Sequence, residues 1–208
     1  MNREMPQSGP TFGYMSAWEW AEHGYFGGYL IVSGLGRPLE FHCTSPVRPN
    51  RAQQILYGPT LAEYLIADQI GPTLLRESKL HPHLLLVDHF CLLGLRPRGE
   101  TPVARLLNRA NEPNAAAAWV ARKQSDGESV SAPAEEANPS IAASRICVAD
   151  HLFEVAHVSE ERATQVASLL ALLAARIELA EPFERIHEAI REAQRLHDLA
   201  PEIGQSAA

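Results

Sequence analysis

The sequence holds no apolar run near the ~18 residues that a membrane-spanning helix needs. Its longest candidate, around Val166 to Leu179, is broken by Ser168, Arg176 and Glu178. The opening MNREMPQSGP has no basic stretch followed by an apolar one, so no secretory signal is expected. Cysteine is scarce. Cys43, Cys91 and Cys147 are far apart and odd in number, so no disulfide framework suggests itself and a reducing, cytoplasmic setting is the simplest reading. The glycine-rich phosphate loops, the G-x-S-x-G elbow and the H-E-x-x-H zinc motif are all missing, which removes the most readily recognised enzyme classes.

What is present is an ordinary globular composition, 46% hydrophobic and 21% charged, over 208 residues. The net charge of -7 is uneven: from Ser125 to Ala208 six basic residues stand against fifteen acidic ones. An acidic C-terminal part argues against general nucleic-acid binding, which needs a basic face to displace counterions, and leaves a nucleic-acid role as a third reading that rests on a local patch at Arg48, Arg51 and Tyr57.

Residues 1–15 are expected to be a flexible arm, and 16–123 an α/β core. Ser16-Ala17-Trp18-Glu19 fits a capping box opening a short helix. Tyr29–Ser33 and Pro38–Cys43 read as two strands around Gly34-Leu35-Gly36. Asn50 suits a helix cap, and Thr60 opens a helix to Glu77 that Gly71-Pro72 should kink. Leu84–Val87 is continuously apolar, as in an interior parallel strand. Pro102–Leu107 is too short for periodicity to decide between strand and helix. The stretch 124–141 lacks large apolar residues and reads as a flexible linker. Arg145–Phe153 reads as one strand completing the core, within a section 142–200 that ends in a helical hairpin; 201–208 is a tail. One helix carries the stripe Val166, Leu169, Leu170, Leu173 and Ile177, and the next carries Phe183, Ile186 and Ile190. The fold class is therefore α/β (mixed α+β): a small mixed sheet opened by an N-terminal β-hairpin, covered by helices, with a C-terminal antiparallel helical hairpin.

Three groups of residues are candidates for a site. His81, His83, Asp88, His89 and Cys91 are chemically able residues close in sequence and form the catalytic candidate. Pro82 separates the first two, and no partner motif accompanies them, so no metal or cofactor is assigned. Cys43 points away from its neighbour His42 on a strand and reads as a small core residue. Arg48 and Arg51 flank a helix start near Tyr57 and form an anion-site candidate. Phe183, Ile186 and Ile190 form a candidate partner face.

The stretch GRPLEFHCTSPVRPNRAQQILYGPTLAEYL, with EPFERIHEAIREA near the C-terminus, resembles a group of uncharacterised bacterial proteins of about this length, which brings no activity with it. The hairpin followed by a helix is similar in architecture to longin and roadblock-type regulatory modules. His81-Pro82 followed by Cys91-Leu92 is similar to the spacing in ubiquitin-conjugating enzymes, where the cysteine carries a thioester. His83 stands where that family has asparagine, and a helix precedes where it has strands. The function expected from the sequence is a non-catalytic interaction or regulatory module in a larger assembly, with a protein partner or a second copy of the chain. The alternative is a small metal- or cysteine-dependent hydrolase or transferase built on the segment from His81 to Cys91.

Overall fold

A computed structural model describes residues 9–21, 23–107, 143–156 and 159–204. The expected linker 124–141 lies outside these residues. Seven strands form one mixed sheet in the order β3-β2-β1-β4-β5-β7-β6. They are β1 Thr11–Trp20, β2 Gly24–Ser33, β3 Pro38–Cys43, β4 Leu84–Val87, β5 Val103–Leu107, β6 Ala143–Val148 and β7 His151–Ala156. β1 pairs antiparallel with β2 and parallel with β4, and β4 is parallel to β5. The helices are α1 Arg51–Tyr57, α2 Leu61–Glu63, α3 Gly71–Glu77, α4 Glu160–Ala174 and α5 Glu181–Gly204. The mixed α+β class expected from the sequence is the one observed.

β1 is where the expectation and the fold part. Thr11–Trp20 is a central strand, not a loose arm followed by a capped helix. Its even positions, Phe12, Tyr14, Ser16, Trp18 and Trp20, share one face, and Met15 and Ala17 lie on the other. Phe12, Tyr14, Met15, Ser16 and Ala17 are all buried. Burying an aromatic or large apolar side chain is worth about 1.5–3 kcal/mol, and this two-sided burial outweighs the local capping signal of Ser16 and Glu19.

One face of the sheet is covered by α4 and α5, the other by the helical run 61–77 and the 3₁₀ segment Phe90–Gly94. Gly27 and Gly28 on β2 make both contacts close. A side chain at Gly27 would strike Ile70, and one at Gly28 would strike Ile186 and come within 2.9 Å of Ile190. Pro72 has no N–H to give to the preceding turn. The helix adjusts over Tyr64–Ile70, a π-helical stretch in which the Gly71 N–H reaches the Ile66 carbonyl five residues back.

Two further segments differ from the sequence reading. Pro102–Leu107 resolves as strand β5. The region read as one strand is the hairpin β6–β7, turning at Ala149 (φ 49°) and Asp150 (φ 64°) with Val148 opposite His151. Positive φ at both central residues is the turn geometry that suits the strand twist, and neither residue is the glycine that normally announces it.

The C-terminal hairpin docks on its own sheet. Phe183, Ile186 and Ile190 are 6%, 0% and 1% exposed. The partner face expected there is corrected: the stripe is core, because Gly28 lets α5 sit against β2. Among the described residues no helix is long and apolar enough to cross a membrane.

Candidate active site

The parallel pairing of β1 and β4 sets Met15 opposite Val87. The next residues along, Ser16 and Asp88, therefore stand side by side on the face under α5, where β4 ends. In open α/β sheets, ligands are taken up outside the carboxyl ends of parallel strands. α5 adds His187, four residues after Phe183, whose ring packs edge-on against Tyr14 at 5.1 Å. The apolar stripe that anchors the helix thus carries the imidazole to the end of the strand.

These three side chains form a chain of hydrogen bonds. Ser16 Oγ is 2.6 Å from Asp88 Oδ2 and 2.7 Å from His187 Nε2. The imidazole and the carboxylate are 3.7 Å apart, so the serine hydroxyl is the bridge between them. Ser16 is 1% exposed, while the side chains of Asp88 and His187 keep 29% and 31% of their surface. Asp88 Oδ1 is buried with no hydrogen-bond partner among the described residues.

Burial pushes the Asp88 carboxyl up to about 6, against the opposing pull of the Ser16 hydroxyl and of Arg105. Burial, aided by the charge of Arg191, holds His187 below the ordinary histidine value. At neutral pH the carboxylate is mainly ionised and the imidazole neutral. An ionised Asp88 only accepts, so Ser16 donates to it. Ser16 Oγ then accepts from His187 Nε2–H. That tautomer leaves a bare lone pair on Nδ1, which has no hydrogen-bond partner among the described residues.

Around this centre the surface carries two aromatic rings and one arginine. Trp18 lies 4.2 Å from the His187 ring, centroid to centroid, and Trp20 lies 4.8 Å from that of His23. Both indoles are partly exposed. Arg191 follows His187 by four residues on the same face of α5. It is exposed and forms no hydrogen bond or ion pair among the described residues.

The candidates named from sequence are not drawn into one pocket. His83 precedes β4 and Asp88 follows it, about 16 Å apart at the ~3.3 Å rise of a strand. His89 caps the 3₁₀ segment, its Nδ1 accepting from the Cys91 N–H, and stacks on Phe90 at 5.0 Å. Cys91 is 3% exposed, and burial pushes its thiol up to about 11, which suits neither a nucleophile nor a thioester carrier. The catalytic set His81, His83, Asp88, His89 and Cys91 is therefore corrected, because an intervening strand holds its members apart. Among the described residues no three His, Cys, Asp or Glu side chains are grouped to hold a metal ion.

The other sites also resolve differently. Arg48 donates to the His23 carbonyl, Asn50 and Gln53 close a capping box over the start of α1, and Tyr57 stacks on Tyr64 at 3.9 Å. Arg48 and Tyr57 of the anion-site candidate Arg48, Arg51 and Tyr57 are therefore each engaged with another group. Cys43, read as core, is exposed, because β3 is the sheet edge. Ser16 and His187 were not among the candidates. The signal for each was a polar residue standing in an otherwise apolar row, at period two for Ser16 and at helical spacing for His187.

No family model matches the sequence, and no curated protein matches it. Among solved structures, the chain is similar to Ciona intestinalis Endonuclease V, solved as a variant in complex with a 23mer DNA containing an inosine followed by a ribo-adenosine. That match has 12% identity and a TM-score of 0.47, covering 89% of this chain and 86% of that one. It is also similar to the same enzyme in complex with a 24mer DNA of the same kind, at 11% identity and TM-score 0.42, with the same coverage. Against these matches the expectation of a non-catalytic interaction or regulatory module, with a protein or a second copy as partner and nucleic acid disfavoured, is corrected and withdrawn.

Proposed function

We propose that this chain is a hydrolase acting on the phosphodiester backbone of a nucleic-acid strand, with His187 as its general base. The observation that carries the reading is the chain Asp88–Ser16–His187 at the carboxyl end of β4. It fixes the imidazole tautomer so that Nδ1 is free to take a proton.

In this reading, Nδ1 takes a proton from water. The water oxygen forms a bond to phosphorus, the bond to the departing sugar oxygen breaks, and that oxygen takes its proton from solvent water. Asp88 and Ser16 orient the ring and stabilise the imidazolium that forms, through Ser16 as the bridge. Arg191, whose charge is felt at His187, would offset the negative charge that gathers on the phosphate. Ser16, Trp18 and Trp20 follow one another along one face of β1, so bases stacked on the two indoles lead a strand to the centre. The three free cysteines suit a reducing, cytoplasmic setting.

The test uses end-labelled single-stranded and duplex DNA and RNA, with magnesium or with a chelator. Wild type is compared with His187→Ala, Asp88→Asn and Trp18→Ala. Cleavage is expected to fall by about 10²–10⁴ in His187→Ala. Strand binding is expected to weaken by about 1–3 kcal/mol in Trp18→Ala. Absence of strand binding at about 50 mM salt, where phosphate contacts are strongest, or equal cleavage by His187→Ala, would overturn the reading.

A further inference from the structure

Beyond the two indoles, β1 ends at a turn beside an arginine that the proposed reaction does not use. Trp20, the last residue of β1, pairs across the sheet with Gly24. A side chain at Gly24 would meet the Val47 carbonyl at 2.7 Å and Arg48 Cγ at 3.0 Å, so the bare glycine gives the stem of Arg48 its place beside Trp20. Val47 is fixed there by backbone hydrogen bonds of 2.8 and 2.9 Å with Tyr25, and its side chain packs on the face opposite Trp20. Pro49 keeps the backbone before it extended, so Arg48 turns to the face of Trp20.

The guanidinium is oriented as well as placed. Arg48 Nε donates to the His23 carbonyl at 2.9 Å, and the His23 ring lies against that of Trp20. That bond occupies one edge of the fork. Both Nη groups are without a hydrogen bond or ion pair among the described residues, and Arg48 is exposed. Arg51, at the start of α1, is also exposed and makes neither kind of contact among the described residues. Glu19, the acidic residue of β1, lies on the other face of the strand, where the Tyr25 hydroxyl donates to it.

We propose that Arg48 binds a backbone phosphate of the nucleic-acid strand, at a second point beyond the one at His187. The free edge of a guanidinium offers paired N–H donors that match two phosphate oxygens, and the bond to His23 holds that edge in place. Trp20 is four residues from Ser16 along β1, about 13 Å at the rise of a strand. A dinucleotide has one internal phosphate and presents no second one at that distance. The substrate class is therefore a longer strand that runs past both indoles. The inference rests on the reading of Asp88, Ser16 and His187 as the place of cleavage, but the contact at Arg48 is measured by binding alone.

The test is the affinity of the full chain for a labelled single strand of about 12 nucleotides, read by fluorescence anisotropy over a series of salt concentrations. Arg48→Ala is expected to weaken binding roughly tenfold through loss of charge-assisted hydrogen bonds. It should also reduce the slope of log affinity against log salt by about 0.7, the share of one phosphate on a single strand. Arg48→Lys keeps the charge but not the fork, so it should restore the slope and leave affinity below that of wild type. Arg76→Ala removes the same charge from α3, on the opposite face of the sheet, and should leave the slope as it is. Arg48 is exposed, so its replacement spares the fold, and circular dichroism checks this. Binding indifferent to Arg48→Ala, or an equal change of slope in Arg76→Ala, would overturn the proposal. Binding that depends on Arg48 without any cleavage would uphold the contact and overturn the reaction assigned to His187. Absence of strand binding would overturn both.

Discussion

Ser16 Oγ stands 2.6 Å from Asp88 Oδ2 across two parallel strands, though 72 residues separate them in the chain. This hydroxyl is the only hydrogen-bond donor to the carboxyl from another side chain among the described residues. Ser16→Ala removes that donor from a half-buried carboxyl whose Oδ1 already has no hydrogen-bond partner among the described residues. The expected cost is about 1–3 kcal/mol of stability at neutral pH, read by urea unfolding. The Asp88 titration should move further up, because the serine bond is one of the causes opposing the rise.

Asp88 itself should make the fold less stable as the carboxylate forms. Its folded value is about 6 against an ordinary 3.8, so between these values the folded state holds the proton more tightly. That contribution is fully present below about pH 3.8 and is lost as pH rises to 6. His187 acts in the opposite sense: its folded value is lowered, so stability is gained as pH rises towards the ordinary histidine value of 6.5. Asp88→Asn removes the first effect alone. It should stabilise the protein at pH 7–8 by on the order of 2–3 kcal/mol, and by much less at pH 4, while abolishing cleavage. Thermal unfolding at the two pH values checks this. Equal effects at both would refute the assigned titration.

The cysteines give a direct test of burial. Cys43 is exposed, whereas Cys91 is buried with its thiol pushed up to about 11. A thiol reagent at pH 8 should label Cys43 in the native protein and Cys91 only after unfolding. Peptide mapping reads the order. Rapid native labelling of Cys91 would contradict the packing behind β4.

The helical hairpin and the continuous apolar strand Leu84–Val87 were legible because each buries a regular face. Val166, Leu170 and Leu173 repeat at helical spacing, and a strand covered on both sides reads as an unbroken apolar run. β1 was not legible. Ser16-Ala17-Trp18-Glu19 carries a local capping pattern, and only tertiary burial of both faces overrides it. The β6–β7 turn hid for a related reason, since Ala149 and Asp150 take positive φ without a glycine. The centre was half legible. Asp88 stood out beside an apolar strand, but Ser16 and His187 lie 171 residues apart and are joined only by strand order and helix docking.

That dependence on docking yields a last expectation, at Gly28. A methyl group there would meet Ile186 and stand 2.9 Å from Ile190 Cδ1, so α5 must shift away from β2 to accept it. Overpacking of this kind costs about 1–3 kcal/mol. The shift would also carry His187, the residue next to Ile186, away from Ser16. Gly28→Ala should therefore lower stability and cleavage together. The same change at Gly27, which meets Ile70 on the other face, should lower stability by a comparable amount and leave the hydrogen bond from Ser16 to His187 in place. Parallel unfolding and cleavage assays on the two variants separate these effects. Equal loss of activity at both positions would show that the centre depends on overall stability and not on the seating of α5.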